Sequence, residues 1–468
     1  MTSDGAIRGS LMEYEELSLS LGADLFFCPD SAAGFSSVSI DSRLIREGAL
    51  FVALSGKSFD GHSFVEAAFA NGASAALVER GKLNDFDLTG AAKKMGKTLI
   101  AVDDTLKGLQ DAARIYLEKF PGLLKIGITG SSGKTTTKEI AAAIIGSEIN
   151  TVMNPGNFNS ESGLPLAIFD VRPCHEVGIF ELGMNREGEI AALASILKPN
   201  IALITNIGSA HIGILGSKEA IAKEKKEIFS QFDGTGVALI PENCEYRDFL
   251  ADGINGRVIF YGDKFVWLEG ARDMGMEGSE IFWDGLNIRF PLPGRHNLAN
   301  AFAAIAIALE VNVSAEAIKL GLEKVKPLFG RGEILRGKTT VIRDCYNANP
   351  ESLARALEFC DNLDWPGRRV YVIGEMLELG ENSCVAHEQA ALQLARSKAD
   401  KVYLYGKELA AAVGILEITA LRFLHTCDMD ELSVDLSSYV RDKDLVLLKG
   451  SRGCALERLC DVLVEGTA

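Results

Sequence analysis

The stretch Thr129-Gly130-Ser131-Ser132-Gly133-Lys134-Thr135-Thr136 decides the fold that this chain of 468 residues predicts. The apolar run 123–129 indicates a buried strand, and the residues 134–145 predict a helix directly after the glycines. Glycines between a strand and a helix let backbone N–H groups close around phosphates, while Lys134 supplies a positive charge and Thr135 offers a hydroxyl to Mg²⁺. The sequence therefore predicts a nucleotide-binding unit whose phosphate loop consists of Gly130, Ser131, Ser132, Gly133, Lys134, Thr135 and Thr136.

The loop departs from the strict phosphate-loop pattern at one position. Five residues before Gly133, where that pattern has a glycine, this chain has Ile128. The match is therefore to a shortened form, G-x-x-G-K-T-T. An ordinary glycine-rich turn is the alternative, and the strand before it and the helix after it argue against that alternative.

Polar residues follow two further apolar runs, at 177–180 and 201–205. Glu181 closes the first run, and His211 ends the polar stretch that follows the second. Open α/β sheets place ligand groups at the ends of their strands, so a carboxylate and an imidazole there indicate a Mg²⁺ site beside nucleotide phosphates. Because histidine is an uncommon Mg²⁺ ligand, a structural role for His211 stays open at this point.

Length and pattern together predict three domains, since one domain typically has about 150 residues. Short strands and a helix mix over 36–110, Pro327 and Gly330 indicate a hinge, and strands alternate with helices from about residue 339. We expect an α/β protein with a small mixed α/β domain at 1–117, a central P-loop-type parallel-sheet domain at 118–328 and a C-terminal Rossmann-like domain at 329–468. The predicted helices are 63–71, 134–145, 297–311, 315–325, 351–360, 387–397 and 455–464, and the predicted strands are 50–54, 75–78, 123–129, 177–180, 201–205, 340–343, 369–373, 401–405 and 445–449.

Composition excludes several classes of function. The chain has 48 basic and 64 acidic residues, a net charge of −16, and is 47% hydrophobic, which is typical of a packed protein and argues against coating nucleic acid. The best apolar run, 301–309, is far shorter than the roughly 20 residues that cross a bilayer, and the acidic N-terminus is unlike a signal peptide. We expect a cytoplasmic monomer with no nucleic-acid partner and no membrane insertion. Nine scattered cysteines without CxxC spacing predict reduced, structural thiols.

Several motifs occur in the order found in one known family. They run from Asp41-Ser-Arg43 and Phe59-Asp-Gly-His62, through the phosphate loop, to Lys449-Gly-Ser-Arg452. On these motifs the chain resembles the Mur ligases, ATP-dependent amide-forming enzymes of peptidoglycan precursor synthesis, over nearly its whole length. Further segments are similar to the members that add D-alanyl-D-alanine to UDP-N-acetylmuramoyl-tripeptide through an acyl phosphate: Gly156-Asn-Phe-Asn159, Gly163-Leu-Pro-Leu166, Pro293-Gly-Arg-His-Asn297, Asp344-Cys-Tyr-Asn-Ala-Asn-Pro350 and Glu378-Leu-Gly380.

The resemblance implies roles for catalytic and metal-binding residues. Alongside Lys134, it assigns Thr135 and Glu181 to one Mg²⁺ and His211 to a second. It also makes Lys225 a carbamylated lysine. On composition alone, Lys225 belongs to a solvated helix face, Lys223-Glu-Lys-Lys-Glu227. A carbamate is an anion that suits a position beside Mg²⁺, whereas an unmodified ammonium group would be repelled.

The resemblance also implies ligand contacts. His296 and Asn297 would meet the adenine of ATP, Asp344 the ribose hydroxyls and Arg331 the phosphates, although Arg331 is otherwise explained as a surface charge of a linker. The remaining expected contacts are Tyr346 and Asn347 for ATP, and Ser42, Arg43, Asn157 and Asn159 for the substrate, with Lys57 and His62 as further candidates for its UDP end. His62 is equally explained as a turn residue.

Three departures from the family pattern affect substrate contacts more than ATP chemistry. They are Ser160 in place of a second Asn, Glu375 in place of Asp, and the tail Gly453-Cys-Ala455. The nearest competing function is that of a sister ligase that adds a diamino acid to the UDP-dipeptide, but the chain has no Asp-Asn-Pro-Arg stretch and has Tyr346-Asn-Ala-Asn349 instead. Two more distant candidates are a folylpolyglutamate synthase and a P-loop switch protein that forms no amide.

Overall fold

The computed structural model describes residues 9–28, 33–56, 59–263 and 268–464. Contacts divide the chain into two compact units. Unit 1 consists of Met1–Gly127, Asn150–Met184 and Glu189–Asn200, and unit 2 of Ile128–Ile149, Asn185–Gly188 and Ile201–Ala468. Within the described residues no helix combines the length and the apolar character needed to cross a membrane. All nine cysteines are free thiols, and the domain limits at 117 and 328 stay predictions.

The strands are β1 (Met12–Glu13), β2 (Asp24–Phe26), β3 (Gly34–Phe35), β4 (Ser37–Ser39), β5 (Ala49–Val52), β6 (Ala75–Glu79), β7 (Thr98–Val102), β8 (Leu124–Thr129), β9 (Thr151–Met153), β10 (Val177–Glu181), β11 (Ile201–Ile204), β12 (Gly236–Pro241), β13 (Gly256–Tyr261), β14 (Leu268–Asp273), β15 (Ser279–Trp283), β16 (Leu286–Phe290), β17 (Glu333–Arg336), β18 (Thr340–Asp344), β19 (Arg369–Gly374), β20 (Lys401–Tyr405), β21 (Arg422–Thr426) and β22 (Leu445–Lys449). The helices are α1 (Tyr14–Leu21), α2 (Val65–Ala70), α3 (Leu88–Met95), α4 (Thr105–Glu118), α5 (Lys134–Ile145), α6 (Gly163–Ile168), α7 (Glu189–Leu197), α8 (Ile212–Leu215), α9 (Lys218–Lys226), α10 (Arg247–Ala251), α11 (Arg295–Glu310), α12 (Ala315–Lys324), α13 (Pro350–Asn362), α14 (Ser383–Arg396), α15 (Ala410–Glu417), α16 (Met429–Tyr439) and α17 (Cys460–Val464).

Unit 1 contains a five-stranded sheet in the order β2-β7-β6-β5-β4. Strands β4 to β7 are parallel, and β2 pairs antiparallel with β7 at one edge. Every residue of β5 and β7 is buried, which is typical of parallel strands covered on both faces. This is the small mixed α/β region that the sequence predicts. Elsewhere in unit 1, β9 and β10 pair in parallel, and β10 ends at Glu181.

The C-terminal part of unit 2 is a six-stranded sheet in the order β17-β18-β22-β19-β20-β21. All neighbours are parallel except β17, an antiparallel edge. Side chains of β19 alternate between two buried layers: Val370 and Val372 pack with residues of α16 and α17, and Tyr371 and Ile373 with residues of α13, α14 and α15. The predicted Rossmann-like arrangement is confirmed, because helices cover both faces of a parallel sheet.

The remainder of unit 2 contains two further groups of strands. Strands β11, β12 and β13 are parallel neighbours. Strands β14, β15 and β16 form an antiparallel sheet that was absent from the sequence-based prediction. The helix and strands predicted at 134–145, 401–405 and 445–449 coincide with α5, β20 and β22.

Two predictions about helices are wrong. The solvated face predicted at 223–227 is not fully solvated, because Glu224 and Lys225 are only 4% and 1% exposed in α9. Glu224 accepts a hydrogen bond from the backbone N–H of Gly188 at 2.9 Å, which explains its burial. The helix predicted over 455–464 is in two parts, a 3₁₀ helix over Leu456–Leu459 followed by α17, and Ala455 lies outside both because it has a left-handed φ of 49°.

Candidate active site

The phosphate loop is held by the polar residues that follow β11. Thr205 Oγ1 donates to the carbonyl of Ser132 at 2.6 Å, and Asn206 Oδ1 accepts from the backbone N–H of Ser132 at 3.1 Å. Lys134 Nζ donates to the carbonyl of Gly130, within its own loop, at 2.8 Å. Helix α5 begins at Lys134, so the backbone N–H groups of its first turn and the positive end of the helix dipole lie at the loop.

Close packing explains the two loop glycines. A Cβ at Gly130 would overlap Thr205 Oγ1, and one at Gly133 would lie 3.2 Å from Cγ of Asn300 in α11. Both glycines also have positive φ, 150° and 79°, which side-chain-bearing residues rarely adopt. The shortened loop is therefore a tightly determined turn, as its strand and helix context predicts.

Arg331 reaches the phosphate loop from beyond the predicted hinge. Its Nη2 donates to Thr135 Oγ1 at 3.0 Å, and its guanidinium lies 4.3 Å from the ring centroid of Tyr346. The backbone N–H of Tyr346 donates to the carbonyl of Gly330 at 3.0 Å, which fixes the two segments together. Arg331 is therefore not a surface charge of a linker. Its guanidinium places a positive charge beside the Thr135 hydroxyl, at the start of α5.

An ion pair between a buried lysine and a partly exposed aspartate joins the ends of β18 and β22. Lys449, 2% exposed, places Nζ 3.1 Å from Oδ2 of Asp344 and donates to the carbonyl of Asn347 at 2.6 Å. Burial lowers the pKa of His296, while the charge of Asp344 opposes that shift. His296 is therefore neutral at pH 7. Asn297 is also buried, and its Nδ2 donates to the carbonyl of Pro293 at 2.8 Å.

His211 and Glu378 come from two different loops of unit 2 and face each other. Nδ1 of His211 lies 3.0 Å from Oε2 of Glu378, an ion-pair distance, although the angle falls outside that of a hydrogen bond. The imidazole nevertheless lowers the pKa of the Glu378 carboxyl. Both residues have φ of 66°, a strained backbone that clusters at functional sites. Next to them, a Cβ at Gly213 would overlap the backbone of Leu379 and Gly380, so the two loops touch through bare backbone.

In unit 1, Glu181 is buried and tied to its neighbours. Its Oε1 accepts from Asn159 Nδ2 at 2.6 Å, and its backbone N–H donates to Oδ1 of the fully buried Asn154 at 2.9 Å. The structure thus brings together Asn159 and Glu181, two of the predicted site residues. Asn157 is exposed, and its carbonyl accepts from the N–H of Asn159 at 2.7 Å.

The predicted UDP-binding residues also lie in unit 1. Arg43 is 85% exposed and makes a bidentate contact with Asp41, whose pKa its hydrogen bonds lower to about 2. Ser42 accepts from Asn71 through its carbonyl at 2.8 Å. His62 is buried, with Nδ1 2.7 Å from Oδ1 of Asp60 and Nε2 accepting from a backbone N–H. Both ring nitrogens of His62 therefore have partners, which favours its structural role, and Lys57 lies outside the described residues.

The predicted metal ligands are divided between the units. Thr135, His211 and Lys225 belong to unit 2 and Glu181 to unit 1. Among the described residues, no group of three or more His, Cys, Asp or Glu side chains is arranged to hold a metal ion. The expected ligand set is of another kind, since it combines a hydroxyl, a carboxylate, an imidazole and a modified lysine.

Three family models match the chain in succession. The Mur ligase family catalytic domain matches residues 35–116, the Mur ligase middle domain 128–308, and the Mur ligase glutamate ligase domain 330–452. The chain belongs to the Mur ligase family.

Relatives of this Mur ligase match over almost its entire length. The UDP-N-acetylmuramoyl-tripeptide–D-alanyl-D-alanine ligase of Treponema pallidum is 45% identical over 454 residues, which cover 96% of this chain and 98% of that protein. A crystal structure of MurF from Acinetobacter baumannii matches with a TM-score of 0.86 at 28% identity, covering 96% of this chain and 98% of that one. The MurF ligase of Thermotoga maritima in complex with ADP has a TM-score of 0.77 at 28% identity, covering 92% and 97%.

Sequence reasoning missed four polar residues that shape the site of this Mur ligase. The Asn154 side chain bonds Glu181, the Asn206 side chain bonds Ser132, and the Asn300 side chain bonds Thr137 in α5. The fourth residue, Glu351, bonds Ser209. The three asparagines could have been found from the sequence, because each lies directly after an apolar strand or within an apolar helix. A buried amide in such a place needs hydrogen-bond partners. Glu351 gave no signal, because an acidic residue in the first turn of a helix is usual.

Proposed function

We propose that this Mur ligase joins D-alanyl-D-alanine to UDP-N-acetylmuramoyl-tripeptide, with ATP converted to ADP and phosphate, in peptidoglycan synthesis. The match along 96% of the chain to the ligase of that name from T. pallidum carries the proposal. The phosphate loop adds support, because it meets Arg331 from beyond the predicted hinge within one compact unit. A cytoplasmic location and a monomeric state remain predictions.

We infer that ATP lies along the contacts that link the phosphate loop to the C-terminal segment. The loop residues Gly130 to Thr136 would hold the phosphates with Arg331, whose guanidinium already lies at Thr135 Oγ1. Asp344 would accept from the ribose hydroxyls, and the neutral His296 and Asn297 would meet the adenine. Tyr346 and Asn347 belong to the same site, because Tyr346 stacks on Arg331 and Asn347 is bonded to Lys449.

The donor set suits Mg²⁺ in part. Thr135 and Glu181 offer the hard oxygens that Mg²⁺ prefers, while His211 is a less common ligand. When bound, Mg²⁺ would neutralise charge on the transferring phosphoryl group. Complete burial of the Lys225 side chain supports a modified or ion-paired amine rather than a solvated ammonium group. Carbamylation of Lys225 remains a proposal, and intact-mass measurement with and without bicarbonate tests it.

The proposed reaction has two steps. The tripeptide carboxylate attacks the γ-phosphorus of ATP, forming an acyl phosphate as the bond to ADP breaks. The amine of D-alanyl-D-alanine then attacks the acyl carbon, loses a proton, and expels phosphate from the tetrahedral intermediate. Lys134 stabilises the charge on the phosphoryl oxygens, and closure of the C-terminal segment over the loop excludes water from the acyl phosphate.

The UDP-bound substrate would be held in unit 1. Ser42 and Arg43 lie on an exposed turn whose Asp41 orients the guanidinium. Asn159 is hydrogen-bonded to Glu181, and the carbonyl of Asn157 accepts from the N–H of Asn159. The position of Ser42 and Arg43 supports contact with the UDP end of the substrate. The position of Asn157 and Asn159 supports contact with its peptide end.

A product assay tests the proposed function. The protein is incubated with ATP, Mg²⁺, UDP-N-acetylmuramoyl-tripeptide and D-alanyl-D-alanine, and the nucleotide product is identified by mass spectrometry. The proposal requires the pentapeptide product and one ADP for each amide formed. ATP hydrolysis that needs neither peptide substrate would favour a switch protein instead, and folate-dependent ADP release would favour a folylpolyglutamate synthase.

A further inference from the structure

The carboxylate of Glu351, in the first turn of α13, accepts hydrogen bonds from both the backbone N–H and the hydroxyl of Ser209. The backbone N–H of Ser209 donates to Oε1 at 3.0 Å and its hydroxyl donates to Oε2 at 2.6 Å. Nζ of Lys218 lies 3.4 Å from Oε1. Burial alone would raise the pKa of Glu351, but the Ser209 hydrogen bonds and Lys218 lower it, so the carboxylate is ionised at neutral pH.

Ser209 belongs to a segment that is also fastened to the phosphate loop. Ser131 Oγ accepts from the N–H of Gly208 at 2.9 Å and lies 3.2 Å from its carbonyl oxygen. The N–H of Ser131 donates to the carbonyl of Asn206 at 3.0 Å. A Cβ at Gly208 would lie 3.4 Å from both the Ser131 side chain and the Glu351 carboxyl carbon. The 206–209 segment is therefore in direct contact with the phosphate loop on the one hand and with Glu351 on the other.

The position of Glu351 is itself fixed by the start of α13. Asn349 caps this helix: its Oδ1 accepts from the N–H of Ser352 at 2.8 Å, and its own N–H donates to Ser352 Oγ at 3.0 Å. One turn after Glu351, Arg355 places Nη1 3.4 Å from Ser132 Oγ. Residues at i and i+4 share one face of a helix, so a single face of α13 contacts both the 206–209 segment and the phosphate loop.

We propose that Glu351 is a positioning residue that, through Ser209, fixes the 206–211 segment and with it His211 and the phosphate loop. This inference rests on the proposed ligase function. Its contacts join the C-terminal segment to the loop that ends in His211, so docking of α13 sets the geometry in which phosphoryl transfer occurs. Misplacement of reacting groups by about 1 Å lowers turnover by up to about 100-fold, so we expect loss of these contacts to lower kcat by a larger factor than it changes KM.

The test compares kcat and KM in Glu351→Gln, Ser209→Ala and the double variant. Glutamine keeps the shape of the side chain but cannot accept both Ser209 hydrogen bonds with a full charge. We expect Glu351→Gln to lower kcat about ten-fold or more while the KM values for ATP and D-alanyl-D-alanine change less than about two-fold. The double variant should be no slower than Glu351→Gln alone, because both changes remove one interaction. Glu358→Gln, an exposed position on the same helix, is the matched control and should behave as wild type.

The outcomes separate the inference from the proposed function. Wild-type protein that makes no amide with D-alanyl-D-alanine contradicts the proposed function. Normal wild-type turnover with an unchanged kcat in Glu351→Gln, or with additive effects in the double variant, overturns the positioning role alone. Circular dichroism and ADP binding verify that each variant is folded. If Glu351→Gln does not fold, Ser209→Ala decides, since it removes only one hydroxyl: a lowered kcat with unchanged KM supports the role, and wild-type kinetics overturn it.

Discussion

Replacing Gly213 by alanine should separate the two loops that carry His211 and Glu378. An added Cβ would overlap the backbone of Gly380 and would lie 2.7 Å from the carbonyl oxygen of Leu379, whereas ordinary contacts between heavy atoms begin at about 3.5 Å. The loops must therefore move apart by roughly 0.8 Å or more. Overpacking of this kind typically costs about 1–3 kcal/mol of the free energy of unfolding, and a shift of this size at reacting groups lowers kcat by about 10- to 100-fold.

Two measurements check this prediction. Phosphate release is followed with ATP, UDP-N-acetylmuramoyl-tripeptide and D-alanyl-D-alanine, and urea unfolding gives the stability of each variant. Gly414→Ala is the control, because nothing lies within 4 Å of a Cβ there and the residue is exposed within α15. That change should leave kcat unaltered and add about 0.5–1 kcal/mol of stability. Wild-type turnover in Gly213→Ala would refute the importance of this loop contact.

Further changes test individual groups. Lys134→Ala should lower ADP release by about 100-fold or more, because it removes the cation at the phosphoryl oxygens, and full turnover would refute its role. Arg331→Ala should raise the KM for ATP about ten-fold, as expected for one lost charge-assisted contact, and an unchanged KM would remove Arg331 from the site. Hydrogen bonds from Lys401 and Tyr403 lower the pKa of Asp435, so its stabilising effect is present above its unfolded pKa of about 3.9 and is lost as the pH falls through the lower folded value. Asp435→Asn should therefore cost about 0.5–1 kcal/mol at pH 7, and urea unfolding near pH 2 should show no deficit, since the side chain is partly exposed.

Local pattern was enough to predict the phosphate loop and its helix. A buried strand, glycines and a lysine are adjacent in the chain, and the observed α5 begins at Lys134 as predicted. The antiparallel sheet was missed although Asp284-Gly285 separates two apolar runs by two residues. Both residues have positive φ there, 47° and 71°, as tight hairpin turns require. That signal was present in the sequence and could have been used.

Contacts between residues far apart in the sequence could not be predicted from local sequence pattern. Glu351 bonds Ser209 across 142 positions and Arg331 bonds Thr135 across 196, so no periodicity within one element predicts either pair. The burial of Lys225 was also out of reach of composition, because a helix rich in charge is usually solvated and only packing shows otherwise. For Arg331 and Lys225 the family resemblance supplied what periodicity could not, and the positions of both side chains are compatible with the roles that it implied.

The most direct test of the proposed ligase is the identity of its acceptor. Phosphate release is measured with ATP and Mg²⁺, pairing UDP-N-acetylmuramoyl-tripeptide with D-alanyl-D-alanine in one series and the shorter UDP-dipeptide with single diamino acids in another. We expect release only in the first series, with a product whose mass equals that of the pentapeptide nucleotide. Release in the second series would identify the sister ligase instead, and release that depends on no acceptor would contradict amide formation.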